Sequence, residues 1–172
     1  VLNNFEEMVI EAVKEKIDII FSGAGLPLKL PQFTIGSDTK NVPIVSSGRA
    51  AAIICKNWHK HYSVVPDAIV VEGPLAGGHL GFSENEIDQP FFQLNNLLKN
   101  VLDAIKPYEV IYKKKIPVIA AGGVFSGKDI ADLIRAGASG VQMATRFVAT
   151  YECDASNEFK KAYINAGSDD IQ

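Results

Sequence analysis

The stretch Ile116–Phe147, IPVIAAGGVFSGKDIADLIRAGASGVQMATRF, decides the fold of this chain. Its first apolar run, 117–121, predicts a short strand that is buried on both faces. Ser126 followed by Asp129 predicts the capped start of a helix, and Gly137 predicts its left-handed end. A second short apolar run follows the helix. The stretch therefore predicts a strand–helix–strand unit with parallel strands.

Small residues follow both strands of this unit. Gly122 and Gly123 follow the first strand, and the second strand, 140–143, runs into Ala144 and Thr145. Backbone N–H groups at neighbouring strand ends suit a phosphate, and the last loops of a (β/α)8 barrel are a usual place for one. An ordinary unit whose glycines only make tight turns is the alternative.

The rest of the chain repeats this pattern. Strands are predicted to begin near residues 17, 42, 67, 117 and 140. Helices are predicted near 5–16 (with Asn3 or Asn4 as cap), 49–61, 91–105, from 147 and at 158–164, and a short surface turn or helix at 28–33. Residues 109–115 would either extend the helical layer of 91–105 or link it to the next strand. An acidic loop is predicted at 83–88. These elements predict a parallel sheet with covering helices, and both an open doubly wound sheet and a partial barrel fit.

The composition limits the possible partners. The 172 residues carry 17 basic and 20 acidic side chains, for a net charge of −3 without a basic stripe, so we expect neither nucleic acid nor a membrane surface as partner. Cys55 and Cys153 are too few for a disulfide framework, which favours a reducing cytoplasm. No apolar run has the length needed to span a bilayer.

His79 is the candidate catalytic residue because it lies in a glycine-rich loop after a predicted strand. Gly77 and Gly78 leave room for its imidazole to lie over a flat ligand, and histidine exchanges protons near neutral pH. A helix cap or a bond to a backbone carbonyl is the alternative role. Glu72 ends the same strand and points to the same mouth, either toward a ligand or as a solvated or arginine-paired carboxylate. Arg146 could pair with Glu72 or with a phosphate, but a structural ion pair beneath the mouth is favoured.

Other reactive residues give weaker signals. Cys55 and His59 share a helix face, but His61 points elsewhere, so a helix surface is favoured over a zinc site. Cys153 has no basic flank that would favour a nucleophile. No G-x-G-x-x-G motif follows a strand, which disfavours a dinucleotide-binding domain.

Three ordered motifs resemble the nitronate monooxygenase family, formerly called 2-nitropropane dioxygenase, which also includes FMN-dependent enoyl-acyl-carrier-protein reductases. The motifs are Glu72–His79 (EGPLAGGH), Ala120–Gly123 (AAGG) and Gln142–Phe147 (QMATRF). The similarity runs from the strand end at 21–25 to Phe147.

The resemblance implies a (β/α)8 TIM barrel with non-covalent FMN. His79 matches the family's catalytic histidine. Segments that hold the FMN phosphate and other parts of the cofactor match the following residues: Glu72, Gly77, Gly78, Gly122, Gly123, Gln142, Met143, Ala144 and Thr145.

The chain also departs from the family. Pro74-Leu75 replaces a bulkier or acidic pair, and Ala144 replaces a common glycine. The five strands resemble the fourth to eighth of the barrel, so we expect 1–172 to be one N-terminally truncated FMN-binding domain of a longer polypeptide. Residues 83–115 form an excursion that would serve as a lid or partner surface. Open sheet edges make a homo-oligomer one expected outcome.

Three functions follow. The first is a nitronate monooxygenase that oxidises alkyl nitronates or nitroalkanes with O2. The second is an FMN-dependent enoyl-acyl-carrier-protein reductase that uses NADH or NADPH. The third is a non-catalytic truncated barrel that binds a phosphate ligand or a partner.

Overall fold

Five strands alternate with helices in the computed structural model, which describes residues 4–167 and residue 170. The strands are β1 (Ile19–Ser22), β2 (Lys40–Val45), β3 (Ile69–Glu72), β4 (Val118–Ala121) and β5 (Gly140–Gln142). The helices are α1 (Phe5–Lys14), α2 (Leu30–Thr34), α3 (Gly48–Tyr62), α4 (Glu84–Ile87), α5 (Leu94–Tyr112), α6 (Gly127–Arg135), α7 (Thr145–Val148) and α8 (Asn157–Asn165). A 3₁₀ turn, Pro90–Phe92, precedes α5.

All neighbouring strands are parallel, and their spatial order β1-β2-β3-β4-β5 is the order of the chain. A doubly wound sheet reverses direction at a switch point, whereas this sheet does not. Right-handed connections in one direction place the connecting helices on one face of the sheet. The order therefore decides between the two predicted architectures: the chain forms five successive strand units of a TIM-barrel-type α/β fold.

The two faces of the sheet have separate apolar clusters. On the helix-covered face, β-strand residues such as Val71 and Ala120 join a core built around Trp58, whose indole Nε1 donates a 3.2 Å hydrogen bond to the Pro27 carbonyl. On the opposite face, which is the inner face of a barrel, Val70 and Ala121 belong to a smaller cluster. The prediction of a strand buried on both faces is confirmed for β4, and β3 is also buried on both faces.

The inner face is least covered at β1. Ile20 packs against the main core, and strand alternation directs Ile19 and Phe21 to the other face. The side chains of Ile19 and Phe21 are 43% and 52% exposed. Apolar surface is thus exposed beside the β1 edge, as expected for a barrel-type sheet of five strands.

Helices α3 and α5 approach closely where α3 begins. A Cβ atom added to Gly48 would lie 2.5 Å from the backbone oxygen of Asn100. Ser47 caps α3 by accepting a 3.2 Å hydrogen bond from the amide of Ala50. Glycine at position 48 is therefore required by the contact between the two helices.

The capped start and the glycine end predicted for α6 are confirmed. Ser126 and Asp129 form a reciprocal capping box, and Gly137 has φ +110° just after the helix. Asn4 occupies the cap position of α1, but its side chain makes no capping bond. Asn3, the other predicted cap, lies outside the described residues.

Three predictions are corrected in part. Helix α5 continues through Pro107 to Tyr112 instead of ending near Ile105, since partly buried Tyr108 and Tyr112 pack against the core. Residues 109–112 thus extend the helical layer, which was one of the two predicted roles of 109–115. The predicted acidic loop contains helix α4, started by a Ser83–Glu86 capping box. Of the surface turn or helix predicted at 28–33, the structure has a helix, α2, but its residues Leu30, Pro31 and Thr34 are buried. No helix in the described ranges is both long and apolar enough to cross a membrane.

Candidate active site

A row of three residues crosses the carboxyl end of the sheet on its inner face. Glu72 pairs in register with Ala121, and Ala121 pairs with Gln142. Because these residues alternate with Val71, Ala120 and Val141, which pack on the helix side, they face the opposite side together. The ends of β3, β4 and β5 thus bring their following loops side by side.

The Gly122–Gly123 turn is tightly fitted against the loop that follows β3. Both glycines have positive φ, +87° and +82°. A Cβ at Gly122 would lie 2.9 Å from the Gly73 oxygen, and a Cβ at Gly123 would lie 2.9 Å from Leu75 Cδ1. The amide of Gly73 also donates a 2.9 Å hydrogen bond to the carbonyl of Ala121. Glycine is needed here both for the backbone angle and for the close approach.

Backbone N–H groups with no acceptor lie in the two neighbouring loops. Within the described part of the chain, the amides of Gly123, Val124, Ala144 and Thr145 donate no hydrogen bond. The register of Ala121 with Gln142, given above, places the two loops next to each other. Adjacent free amides can bind an anion.

The start of α6 fixes one of these loops. The carboxylate of Asp129 accepts hydrogen bonds from the amides of Phe125 and Ser126, at 3.2 and 2.8 Å, and from the Ser126 hydroxyl. The backbone bond from Ser126, followed by its hydroxyl and the Phe125 amide, holds the pKa of Asp129 below its usual range. The turn is therefore anchored at its far end by an ionised side chain.

His79 lies in the β3 loop at the carboxyl end of the sheet, and its side chain is exposed. It forms no hydrogen bond or ion pair in residues 4–167 and 170, so it neither caps a helix nor bonds a carbonyl. The same loop reaches β2's end, where Ser46 Oγ donates a 3.4 Å hydrogen bond to the Gly81 carbonyl. Gly77 and Gly78 have open space around their Cα atoms. The imidazole is thus available to a ligand.

Glu72 is partly buried where β3 ends, and none of the described residues forms an ion pair with it. Burial raises the pKa of its carboxyl because a low-dielectric environment disfavours the charged form. Perturbed carboxyls in clefts are typical of functional sites. The arginine-paired alternative does not hold in this structure.

Arg146 was expected to form a structural ion pair, and that prediction was wrong for the described residues. Its guanidinium carbon instead lies 4.7 Å from the centroid of the Phe125 ring. Sequence reasoning missed Phe125, although an aromatic residue two positions after a Gly-Gly turn is a visible signal. The contact joins the β4 loop to the β5 loop.

At the end of β5, some of the predicted site residues can offer a side chain to a ligand and others only their backbone. Gln142 is exposed on the inner face. Met143 packs against the helix-side core, which leaves only its backbone toward the loops. Ala144 and Thr145 are exposed, and Thr145 begins α7.

A cleft of about 430 Å³ opens beside the glycine turn. Gly122 and Gly123 line it together with Leu75, Leu94 and Asp132. This cleft lies toward α5 and α6, so the turn is accessible from outside the sheet as well as from its inner face.

The second candidate cluster consists of Cys55, His59 and His61 on α3. Cys55 is buried, and burial raises the pKa of its thiol to about 12. His59 is exposed, and its Nδ1 lies 2.9 Å from the Tyr112 hydroxyl. No group of three metal-ligating side chains occurs among the residues described.

In α/β barrels a phosphate frequently binds at the loops after the last two strands, and the free amides of this chain lie at two neighbouring carboxyl ends of a parallel, singly wound sheet. The family model for nitronate monooxygenase matches residues 3–172. The chain belongs to the nitronate monooxygenase family.

Two curated relatives match about 60% of the chain. One, at 38% identity over 103 residues, is (3aS,4S,5R,7aS)-5-hydroxy-7a-methyl-1-oxo-octahydro-1H-indene-4-carboxyl-CoA dehydrogenase of Mycobacterium tuberculosis. The other, at 36% over 105 residues, is a probable nitronate monooxygenase of Staphylococcus aureus. The matches span 25% and 27% of the lengths of these relatives.

Solved structures match more of the chain. FabK from Thermotoga maritima is 29% identical with a TM-score of 0.76, over 97% of this chain and 46% of that one. A nitroalkane oxidase from Streptomyces ansochromogenes is 25% identical with a TM-score of 0.71, over 92% and 42%. The chain therefore spans just under half of each of these structures.

Proposed function

We propose that this chain forms the catalytic part of an FMN-dependent nitronate monooxygenase, which oxidises alkyl nitronates or nitroalkanes with O2. One observation carries the proposal: free amides at the neighbouring ends of β4 and β5 lie beside the loop that presents His79. The substrate is a small molecule, since nothing in the composition favours a nucleic acid.

The residues present fit the phosphate of FMN. The amides of Gly123, Ala144 and Thr145 would donate hydrogen bonds to it, because two adjacent loops offer donors without competing acceptors. The lack of a Cβ at Gly122 and Gly123 keeps the turn close to the β3 loop. The resemblance assigns the other contacts to residues around this point: Glu72, Gly77, Gly78, Gln142 and Met143.

His79 is proposed as the general base. With a neutral nitroalkane as substrate, a neutral imidazole nitrogen of His79 would take the proton from the carbon that bears the nitro group. Its exposed, unbonded side chain supports this role, because no internal partner competes for the nitrogen. Bound FMN would supply the redox chemistry by which the nitronate is oxidised with O2.

Glu72 is proposed to contact a hydroxyl or ring N–H of the cofactor. Because its pKa is raised, the carboxyl of Glu72 has a larger protonated fraction at a given pH than that of an exposed glutamate. A protonated carboxyl both donates and accepts hydrogen bonds. Gln142 lies two strands away in the same row and would add a second polar contact.

The comparisons support this proposal at the level of the family. The matched family and the Staphylococcus aureus relative are named for nitronate oxidation, and a similar solved structure is named a nitroalkane oxidase. Each relative is longer than the matched region, so the activity of the whole protein is part of the proposal.

A second candidate is an FMN-dependent enoyl-acyl-carrier-protein reductase that uses NADH or NADPH. The observation that favours it is the 38% identity to a dehydrogenase whose substrate is a CoA thioester. In both candidates the same phosphate contacts would hold FMN, so the difference lies in the electron donor.

One spectroscopic experiment separates the candidates. FMN is added to the purified protein, excess cofactor is removed, and the visible spectrum is recorded under anaerobic conditions. Bleaching by an alkyl nitronate but not by NADH or NADPH is expected. Bleaching by the nicotinamide would favour the reductase, and a protein that retains no FMN would favour a non-catalytic barrel.

A further inference from the structure

We propose that Phe125 and Arg146 form a clamp across the two loops that bind the cofactor phosphate, with Arg146 as the group that distinguishes a phosphorylated flavin from an unphosphorylated one. This inference rests on the proposed function. It adds a side chain that recognises the phosphate to a phosphate site that otherwise consists of backbone amides.

The clamp joins the two loops of the site. Phe125 follows the free amides of Gly123 and Val124, and Arg146 follows those of Ala144 and Thr145. The 4.7 Å contact between guanidinium and ring therefore connects both sets of donors directly. Aromatic rings attract guanidinium groups at this distance.

Phe125 is itself held in place. Its amide donates a hydrogen bond to the same Asp129 oxygen that accepts two bonds from Ser126, and those bonds belong to the capping box of α6. The aromatic ring thus projects from a backbone fixed by the helix start. A guanidinium stacked on that ring has fewer orientations open to it than one on a free side chain.

The charge of Arg146 remains uncompensated. Among the described residues no carboxylate pairs with it, whereas Arg135, at the other end of α6, pairs with Asp132 at 2.6 Å. The contact with the ring uses no N–H acceptor, and among the described residues no group accepts a hydrogen bond from the guanidinium, so its N–H groups are free to donate to a ligand. A phosphate dianion between the two loops is the complementary group, because bidentate arginine–phosphate bonds match in geometry and charge.

The test compares two ligands that differ only in the phosphate. FMN and riboflavin are titrated separately against wild-type protein, Arg146→Gln, Phe125→Ala and the control Arg135→Gln, and binding is followed by flavin fluorescence. Arg146→Gln is expected to weaken FMN binding about tenfold, the usual effect of losing one charged hydrogen bond. Phe125→Ala is expected to weaken it about threefold. Riboflavin binding should change less than about twofold in both variants, and Arg135→Gln should bind both flavins like wild type.

Equal losses for FMN and riboflavin, or unchanged FMN binding in Arg146→Gln, would overturn the clamp. If Arg146→Gln does not fold, Phe125→Ala decides by the same comparison. If wild type binds FMN and both variants bind it with the same affinity, only the clamp is overturned. A wild-type protein that binds neither flavin overturns the proposed function as well.

Discussion

The amide of Gly73 donates a 2.9 Å hydrogen bond to the carbonyl oxygen of Ala121, which places the loop of His79 directly against the Gly122–Gly123 turn. The ladder between β3 and β4 therefore continues one residue beyond the end of β3. A group bound at the turn and a group beside His79 would share one rim of the sheet. A substitution in one loop should consequently alter the position of the other.

Gly122→Ala tests this close approach. The new Cβ would lie 2.9 Å from the Gly73 oxygen at a φ of +87°, and backbone atoms cannot move aside as a flexible side chain can. We expect a loss of about 2 kcal/mol in the free energy of unfolding and weaker FMN binding. The control is Gly127→Ala, where a Cβ meets no atom within 4 Å. Equal urea midpoints for the two variants would contradict the prediction.

His79→Ala should separate proton removal from electron transfer. Oxidation of a neutral nitroalkane is expected to fall about 100-fold or more, because the α-proton loses its acceptor. Oxidation of the same compound supplied as its nitronate should fall much less, and FMN should remain bound. His61→Ala, an exposed histidine of α3, is the control. Full nitroalkane oxidation by FMN-loaded His79→Ala would exclude the assigned base.

Glu72→Gln should change how stability depends on pH. Burial raises the pKa of Glu72 in the folded state, so between the unfolded and folded pKa values the folded protein binds more protons. The contribution of Glu72 to the free energy of unfolding is therefore fully present below the pKa of the unfolded state. It is lost as the pH rises through the pKa of the folded state. The glutamine variant lacks this decline.

The measurement for Glu72 is a pair of urea titrations, one in acid and one at neutral pH. Glu72→Gln should be more stable than wild type at neutral pH, and the difference should shrink in acid. A difference that is constant, or that grows in acid, would mean that the carboxyl is not destabilised by burial.

Gly48→Ala should destabilise the helical layer rather than the site. Its Cβ would lie 2.5 Å from the Asn100 backbone oxygen, so α3 and α5 would have to separate. A loss of about 2 kcal/mol is expected in thermal or urea unfolding, with flavin affinity unchanged in the folded protein. Gly140→Ala, where nothing lies within 4 Å, is the matched control and should unfold like wild type.

Local signals in the sequence predicted the β4–α6–β5 unit well. The apolar run, the Ser126–Asp129 box and Gly137 each have a local physical meaning, and each is present in the structure. The helix end predicted near Ile105 was too early, because proline weakens a helix locally whereas packing against α3 and the core maintains it, and the alternative in which 109–115 extends the helical layer is the one found as far as Tyr112. Tertiary contacts of this kind cannot be recognised from the periodicity of apolar residues in the sequence.

The candidate site was predictable only in part. Strand ends with small residues could be located from sequence, and their adjacency follows from the parallel register. The order of strands could not be derived from periodicity, because open and closed sheets use the same apolar pattern. The partner of Arg146 was missed despite the visible position of Phe125, since charge alone favours a carboxylate over an aromatic ring. The roles of His79 and the cofactor contacts stay predictions.

Because spatial order and chain order coincide in the sheet, each strand pairs only with strands that are adjacent to it in the sequence. Pairing such neighbours closes only the connection between them, of which residues 73–117 are the longest, and the entropy cost of closing a loop grows slowly with its length. A ribosome that synthesises this chain releases the strands in the order in which they lie in the sheet, so the preceding partner of every new strand has already been synthesised. Assembly can then proceed by growth from one side, without waiting for a distant segment.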